Sequence, residues 1–229
     1  LNKSQPIRLY TGFDDREAVG YHVFCASVIE RATVPVQFCP LTTKVSQGIG
    51  QRDGTNAFTY SRFLIPYLEN FEGWAIFADG ADMLCLADIA ELAKLYDPSK
   101  AVQVVKHEYR TSNARKYIGT AMEADNADYS RKNWSSLMLI NCAHYAWRQM
   151  RPDAVAELPG SYLHRFGFIE DRYIGSLPGE WNHLVGEYAV DPDAKMLHFT
   201  LGIPAMKHYK HCEGAPEWFS QRDKVLAAC

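Results

Sequence analysis

No stretch of the sequence approaches the ~18 consecutive apolar residues that a membrane-crossing helix requires, and Leu1 is not followed by the basic and apolar regions of a secretory leader. These two absences predict a cytoplasmic chain with no transmembrane segment. A Cys-x-x-Cys pair is missing too. Cys25, Cys39, Cys85, Cys142, Cys212 and Cys229 follow no regular spacing, and Cys25, Cys85 and Cys142 sit inside apolar runs, so buried free thiols are expected rather than a disulfide framework or a zinc site. No glycine-rich loop of the GxGxxG or Walker type is found, which argues against dinucleotide oxidoreductases and P-loop kinases. Charge of one sign is equally lacking. Against 27 acidic side chains stand 24 Lys and Arg, a net charge of −3, which excludes the basic footprint of a nucleic-acid-binding protein. There is no internal repeat and no low-complexity segment.

What is present is core-forming material: 47% of the 229 residues are apolar and 22% charged, the balance of a globular chain, and one domain is expected. Ile7 to Tyr10 reads as a strand ending at Thr11-Gly12. Asp14 to Arg31 then has helical spacing, with Tyr21, Phe24, Cys25 and Val28 on one face and Asp14 or Asp15 as cap. Val34 to Cys39 is a second strand. The polar, glycine-containing stretch from Thr42 to Asn56 reads as a loop near a site. A helix is expected from Phe58 to Asn70, a buried strand from Trp74 to Ala78, a helix opened by Asp88 and reaching Tyr96, and another buried strand from Ala101 to Val105. Periodicity fails from Glu108 to Lys132, which reads as an excursion over the acceptor side of a site. Ser136 to Asn141 and Lys195 to Thr200 complete the strands, and Ala143 to Glu157 is helical. Strands alternating with helices predict an α/β fold with a mostly parallel sheet flanked by helices.

The sharpest local feature is Phe77-Ala78-Asp79-Gly80-Ala81-Asp82, two carboxylates just past a buried strand. Open α/β sheets bind ligands at the carboxyl ends of their strands, and a hard divalent cation is commonly held by carboxylates plus substrate phosphates. The same residues also suit a simple turn around Gly80. Followed by Met83-Leu84-Cys85-Leu86 and Asp88-Ile89-Ala90-Glu91-Leu92, the segment resembles the metal-binding strand of glycosyltransferases with the GT-A fold, above all those of family 8. Asp82 matches the second aspartate of their Asp-x-Asp motif, Gly80 stands where the first should be, and Asp79 is one residue early. Asp88 suits a helix N-cap.

The resemblance implies further roles in the same order along the chain. His198, in Leu197-His198-Phe199-Thr200-Leu201-Gly202-Ile203-Pro204, would be the third metal ligand, and imidazole beside carboxylates would favour Mn²⁺ over Mg²⁺. Gly202 would approach the diphosphate, with Lys207 or Lys210 holding phosphate. Arg62, in Thr59-Tyr60-Ser61-Arg62, would face the donor, or else solvent. Ser135 and Ser136 would line the sugar subsite, or satisfy local backbone. Tyr10, Thr11, Gly12 and Asp14 stand where the nucleotide base and ribose bind, with Tyr10 or Phe13 stacking on the base, or they form a helix cap beside core aromatics. Glu170 and Asp171 would act on the acceptor side, as general base or as a group facing the sugar cation, or they start a helix.

The function so implied is metal-dependent transfer of a sugar from a nucleotide-sugar, UDP-sugar being the commonest donor of the family, to an acceptor hydroxyl. A single domain spans 1–229, with a nucleotide-binding part over about 1–105 and an acceptor-side part over about 106–229. The competing readings are nucleotidyl transfer on a similar sheet and a non-catalytic nucleotide or sugar binder that has kept the fold.

Overall fold

The computed structural model describes residues 5–42, 44 and 58–227; of the Thr42–Asn56 loop only Thr42 and Lys44 fall inside them, and Cys229 lies outside. Strand β1 (Ile7–Gly12) buries Ile7, Leu9 and Tyr10. A short 3-10 turn follows, whose first backbone donors are met by the Asp14 carboxylate, accepting from the Arg16 amide, and helix α1 (Ala18–Arg31) then runs back along the sheet. Its buried stripe is Gly20, Val23, Phe24, Ser27 and Val28, turned one position from the stripe of large apolar residues that the sequence suggests. Small residues decide the difference. Gly20 lets the helix backbone approach the Ala81 carbonyl, and the Ser27 hydroxyl accepts from the Cys85 amide at 3.0 Å.

β2 (Val36–Leu41) pairs with β1 in parallel and forms one edge of the sheet, where Pro40, lacking an N–H, is tolerated. The helix expected over 58–70 is broken into a 3-10 turn, Ser61–Leu64, and a single turn of helix, α2 (Ile65–Leu68), containing Pro66. β3 (Trp74–Ala78), β4 (Met83–Cys85), α3 (Ile89–Ala93) and β5 (Val102–Val104) follow. Asp88 caps α3, accepting from the Ala90 amide. The excursion after β5 contains a small hairpin, β6 (Arg115–Lys116) with β7 (Ala124–Asp125). Then come β8 (Leu137–Asn141), α4 (Pro152–Glu157), α5 (Gly160–His164), β9 (Ile174–Ser176), β10 (His183–Leu184), β11 (Met196–His198) and α6 (Ala215–Ala227). Pro152 begins a new helix where one continuous helix was expected from Ala143 to Glu157.

The main sheet has the order β2-β1-β3-β8-β5-β9. Its pairs are parallel except around β8, which runs antiparallel to both β3 and β5. A smaller sheet, β10-β11-β4, packs beyond the end of β3. One face of the main sheet is sealed by Phe63, Phe77, Trp147 and Phe166, the other by Leu9, Phe24, Ile76 and Ile89. Each such side chain contributes ~1.5–3 kcal/mol by leaving water. The cysteines of the described residues carry free thiols, Cys85 and Cys142 buried. Among the described residues no helix is long and apolar enough to cross a membrane.

Candidate functional site

β3 delivers its last residue, Ala78, to the carboxyl end of the sheet, and the chain turns there at Asp79-Gly80-Ala81-Asp82. The turn is fixed by backbone bonds: the Asp79 amide donates to the Ser136 carbonyl at 2.9 Å, Ala81 to Asp79 at 2.8 Å and Met83 to Gly80 at 3.0 Å. Gly80 sits at φ 72°, a left-handed conformation that glycine adopts without penalty. From the far end of the chain, β11 pairs antiparallel with β4 so that His198 stands opposite Met83, and the Phe199 amide donates to the Asp82 carbonyl at 2.8 Å. That register sets the imidazole beside the turn.

The result is a compact trio. His198 Nε2 lies 3.3 Å from Asp82 Oδ2 and 3.9 Å from Asp79 Oδ2, and one ligand atom from each residue falls within 4.8 Å of the others. Asp82 and His198 are buried, yet Asp82 Oδ1 has no hydrogen-bond partner. A buried carboxylate oxygen left without a donor costs several kcal/mol unless a cation or proton meets it. The position of Asp79, one residue early against the Asp-x-Asp pattern, does not remove it from the group, because the left-handed Gly80 swings both carboxylates to the same side.

Arg62 completes the cluster. Buried, it places Nη1 2.7 Å from Asp79 Oδ1, donates to the Ser135 carbonyl at 2.9 Å and to the Thr59 carbonyl through Nε at 3.2 Å, and lies 4.7 Å over the Phe77 ring. Burial pushes the Asp79 carboxyl up to about 6, and the Arg62 charge works against that rise. Two carboxylates against one guanidinium leave an excess of negative charge, and the donor set of two carboxylates and an imidazole fits a divalent ion such as Mn²⁺.

A cleft of about 320 Å³ opens over this cluster, lined by Arg62, Asp79, Asp82, Ser135, Ser136 and His198, and also by Lys116, Tyr117, Tyr129, His164 and Thr200. The last five were not singled out by sequence. Lys116, Tyr117 and Tyr129 come from the unpatterned excursion, where residue type alone gives no signal. Burial, with the nearby Asp82 carboxylate adding to it, holds the Tyr117 hydroxyl well above its ordinary range, so it stays protonated. Thr200 Oγ1 is buried without a partner. Ser135 Oγ and His164 Nδ1 are 2.7 Å apart, and burial followed by the Arg62 charge pushes His164 down to about 3, keeping the ring neutral.

Several residues implied by the resemblance lie elsewhere. Tyr10 turns its ring into the core and donates its hydroxyl to Glu69 at 2.6 Å, so it presents no face to a base. Asp14 is held by the Arg16 guanidinium at 2.8 and 2.9 Å, Thr11 is buried, and Gly12 is packed against the Phe58 ring; none of these lines the cleft. Gly202, at φ 150°, is required by the Tyr209 ring lying against it. Lys207 is exposed in a 3-10 turn, and Lys210 lines a separate hollow of about 740 Å³ beside α6. Asp171 pairs with Arg131 at 2.6 Å and Glu170 with Arg172 at 2.9 Å, both acids largely exposed. Neither lines the cleft, and both stand at the start of a 3-10 turn.

No profile of a known protein family matches the sequence. Among solved structures, the galactosyltransferase LgtC, determined with donor and acceptor sugar analogues, superposes with a TM-score of 0.60 at 13% identity over 95% of this chain and 96% of its own. The bifunctional glycosyltransferase WbbM gives 0.67 at 15% identity, and 96% of this chain spans only 50% of it. GlyE of Streptococcus pneumoniae gives 0.60 at 12%, with 61% of its length covered. The fold is therefore the GT-A glycosyltransferase fold, and the neighbours include a family 8 enzyme. In sequence, Protein CDI of Arabidopsis thaliana is 37% identical over 235 residues, a match that takes in 97% of this chain and 88% of that protein, and the chain belongs to its family.

Proposed function

We propose that the chain is a metal-dependent glycosyltransferase, acting as one catalytic domain, that moves a sugar from a nucleotide-sugar, with UDP-sugar the first donor to test, to an acceptor hydroxyl. The observation that carries this reading is the Asp79, Asp82 and His198 trio at the carboxyl end of the sheet, in which Asp82 also has a buried carboxylate oxygen without a hydrogen-bond partner. Bound there, Mn²⁺ would neutralise charge on the departing diphosphate. Arg62 holds Asp79 in place and is already committed to it, so the diphosphate's other partner is Lys116, which lines the cleft and forms no ion pair among the described residues. Ser135 and the neutral His164 offer hydrogen bonds of the kind that sugar hydroxyls accept and donate. Glu170 and Asp171 are assigned no step, since neither lines the cleft.

Thermal unfolding with UDP, GDP, CMP and ATP, each with and without Mn²⁺, tests the reading. UDP at a hundredfold excess over its Kd should stabilise the native state by about 2.7 kcal/mol, and only when Mn²⁺ is present. Asp82→Ala should abolish that stabilisation while the unliganded protein still unfolds cooperatively. Equal stabilisation of wild type and variant, or a nucleotide effect independent of metal, refutes the reading.

A further inference from the structure

Three polar groups stand in line behind His198. The Ser136 hydroxyl is 2.7 Å from the Asn133 carbonyl, Asn182 Nδ2 is 2.9 Å from Ser136 Oγ, and Asn182 Oδ1 is 2.9 Å from His198 Nδ1. The proton inventory of this row is read from its shortest contacts: the 2.9 Å approach at Nδ1 is closer than the 3.3 Å and 3.9 Å approaches of the two carboxylates at Nε2. A carbonyl only accepts, so the one hydroxyl proton of Ser136 goes to Asn133. Ser136 Oγ can then only accept from Asn182, which must turn its amide nitrogen that way. The other end of the amide is its oxygen, and it too can only accept, so the proton of a neutral His198 ring is on Nδ1. Nε2, facing Asp79 and Asp82, is left with its bare lone pair.

We propose that Asn182 is a positioning residue: with Ser136 it fixes His198 as the Nδ1–H tautomer, the form in which Nε2 is ready to ligate a cation. Asn182 is fully buried and Ser136 nearly so, so water does not offer either group a competing partner. A metal-ligating histidine is tuned by what its other nitrogen meets, and losing such a partner typically weakens metal binding about 10- to 100-fold. The ligand role of His198 rests on the transferase reading, whereas the tautomer does not.

The test uses the whole metal-free chain labelled with ¹⁵N-histidine, at a pH raised until the His198 ¹⁵N shifts themselves report a neutral ring. Two-bond ¹H–¹⁵N correlations report the tautomer, and the His198 signals are identified by their loss in His198→Gln. Wild type should hold the proton on Nδ1; a proton on Nε2 overturns the proposal without recourse to any variant. Asn182→Leu should shift the ring toward Nε2–H and raise the Kd for Mn²⁺, followed by electron paramagnetic resonance, about 10- to 100-fold. Asn182→Asp, which keeps an oxygen acceptor, should restore the Nδ1–H form and bring the Kd back to within a few-fold of wild type. An unchanged tautomer and affinity in Asn182→Leu also overturns it. If wild type shows the Nδ1–H form yet binds no Mn²⁺, the transferase reading fails and the role of Asn182 in setting the tautomer stands.

Discussion

Arg62 is where the turn after β3 and the segment leading into β8 are tied together. Its guanidinium reaches the Asp79 carboxylate and the Ser135 carbonyl at once, and its plane lies between the Phe58 and Phe77 rings at 5.5 and 4.7 Å. A planar fork can do this; an ammonium of similar length offers one centre and cannot span the same partners. Arg62 is buried and Asp79 partly so, at 6% and 15% side-chain exposure, so removing one member strands the other charge in a poorly solvated place, at a cost toward the low end of about 3–5 kcal/mol. Arg62→Met, which keeps volume and loses charge, should therefore lower the unfolding free energy by about that amount in urea titrations, and Arg62→Lys should recover only part of it. Arg62→Met combined with Asp79→Asn should cost less than the sum of the single changes, since the stranded partner is then gone. Strict additivity would mean that the ion pair contributes nothing. The importance of this arginine was legible from its place in Thr59-Tyr60-Ser61-Arg62, but its partner was not, because Asp79 is brought to it by the fold.

At the scale of elements, α1 sets the height of the turn that carries Asp79 and Asp82. A Cβ on Gly20 would fall 1.9 Å from the Ala81 carbonyl oxygen, a backbone atom with no freedom to rotate away, and Ala81 immediately precedes Asp82. Gly20→Ala gains ~0.5–1 kcal/mol of helix propensity but must force helix and turn apart, and overpacking of this kind costs about 1–3 kcal/mol. The expected result is a protein that still folds, with lower Tm and weaker Mn²⁺ binding. Gly179→Ala, where an added Cβ meets nothing within 4 Å, serves as the control with neither effect. A Gly20→Ala variant more stable than wild type, with Mn²⁺ binding intact, refutes the close contact. Elements with strong local pattern were legible in the sequence: β1, β3, the capped α3 and the span of α1. What failed were features that local pattern does not encode. The face of α1 was misplaced because glycine and serine, not bulk, line its contact. The helix over 58–70 was broken just before Pro66 into a 3-10 turn and one helical turn. The reversed direction of β8 left no trace in its apolar run, since a buried strand reads alike from either end.

For the molecule as a whole, the carboxylates of the site were legible and its walls were not. Asp79, Asp82 and His198 belong to short segments with a recognisable order, whereas Lys116, Tyr117 and Tyr129 enter the cleft from a stretch without periodicity and His164 from a short helix with no motif. Long-range assembly also creates a property that no single segment carries, a sensitivity to acid. His107 follows β5 and is buried against Tyr188, whose hydroxyl is 3.2 Å from Nδ1, while Nε2 has no partner. Burial, reinforced by nearby His198 and His183, pushes its pKa down to about 3. In the unfolded chain the same ring titrates near ~6.5, so between these values the unfolded state binds a proton that the native state refuses. Folding stability that is fully present above ~6.5 is then lost as pH falls toward the folded value, at up to ~1.4 kcal/mol per pH unit for this one group. His164, held down to about 3 by burial and Arg62, acts in the same direction, with a smaller effect because it is only half-buried. Urea unfolding of wild type from about pH 7 to about pH 4 should therefore show a steep acid limb. His107→Gln, which keeps polar bulk and cannot titrate, should flatten that limb by ~1 kcal/mol per pH unit, whatever its effect on stability at neutral pH. Parallel limbs for the two proteins would place the acid sensitivity in other groups and show that His107 is protonated without unfolding.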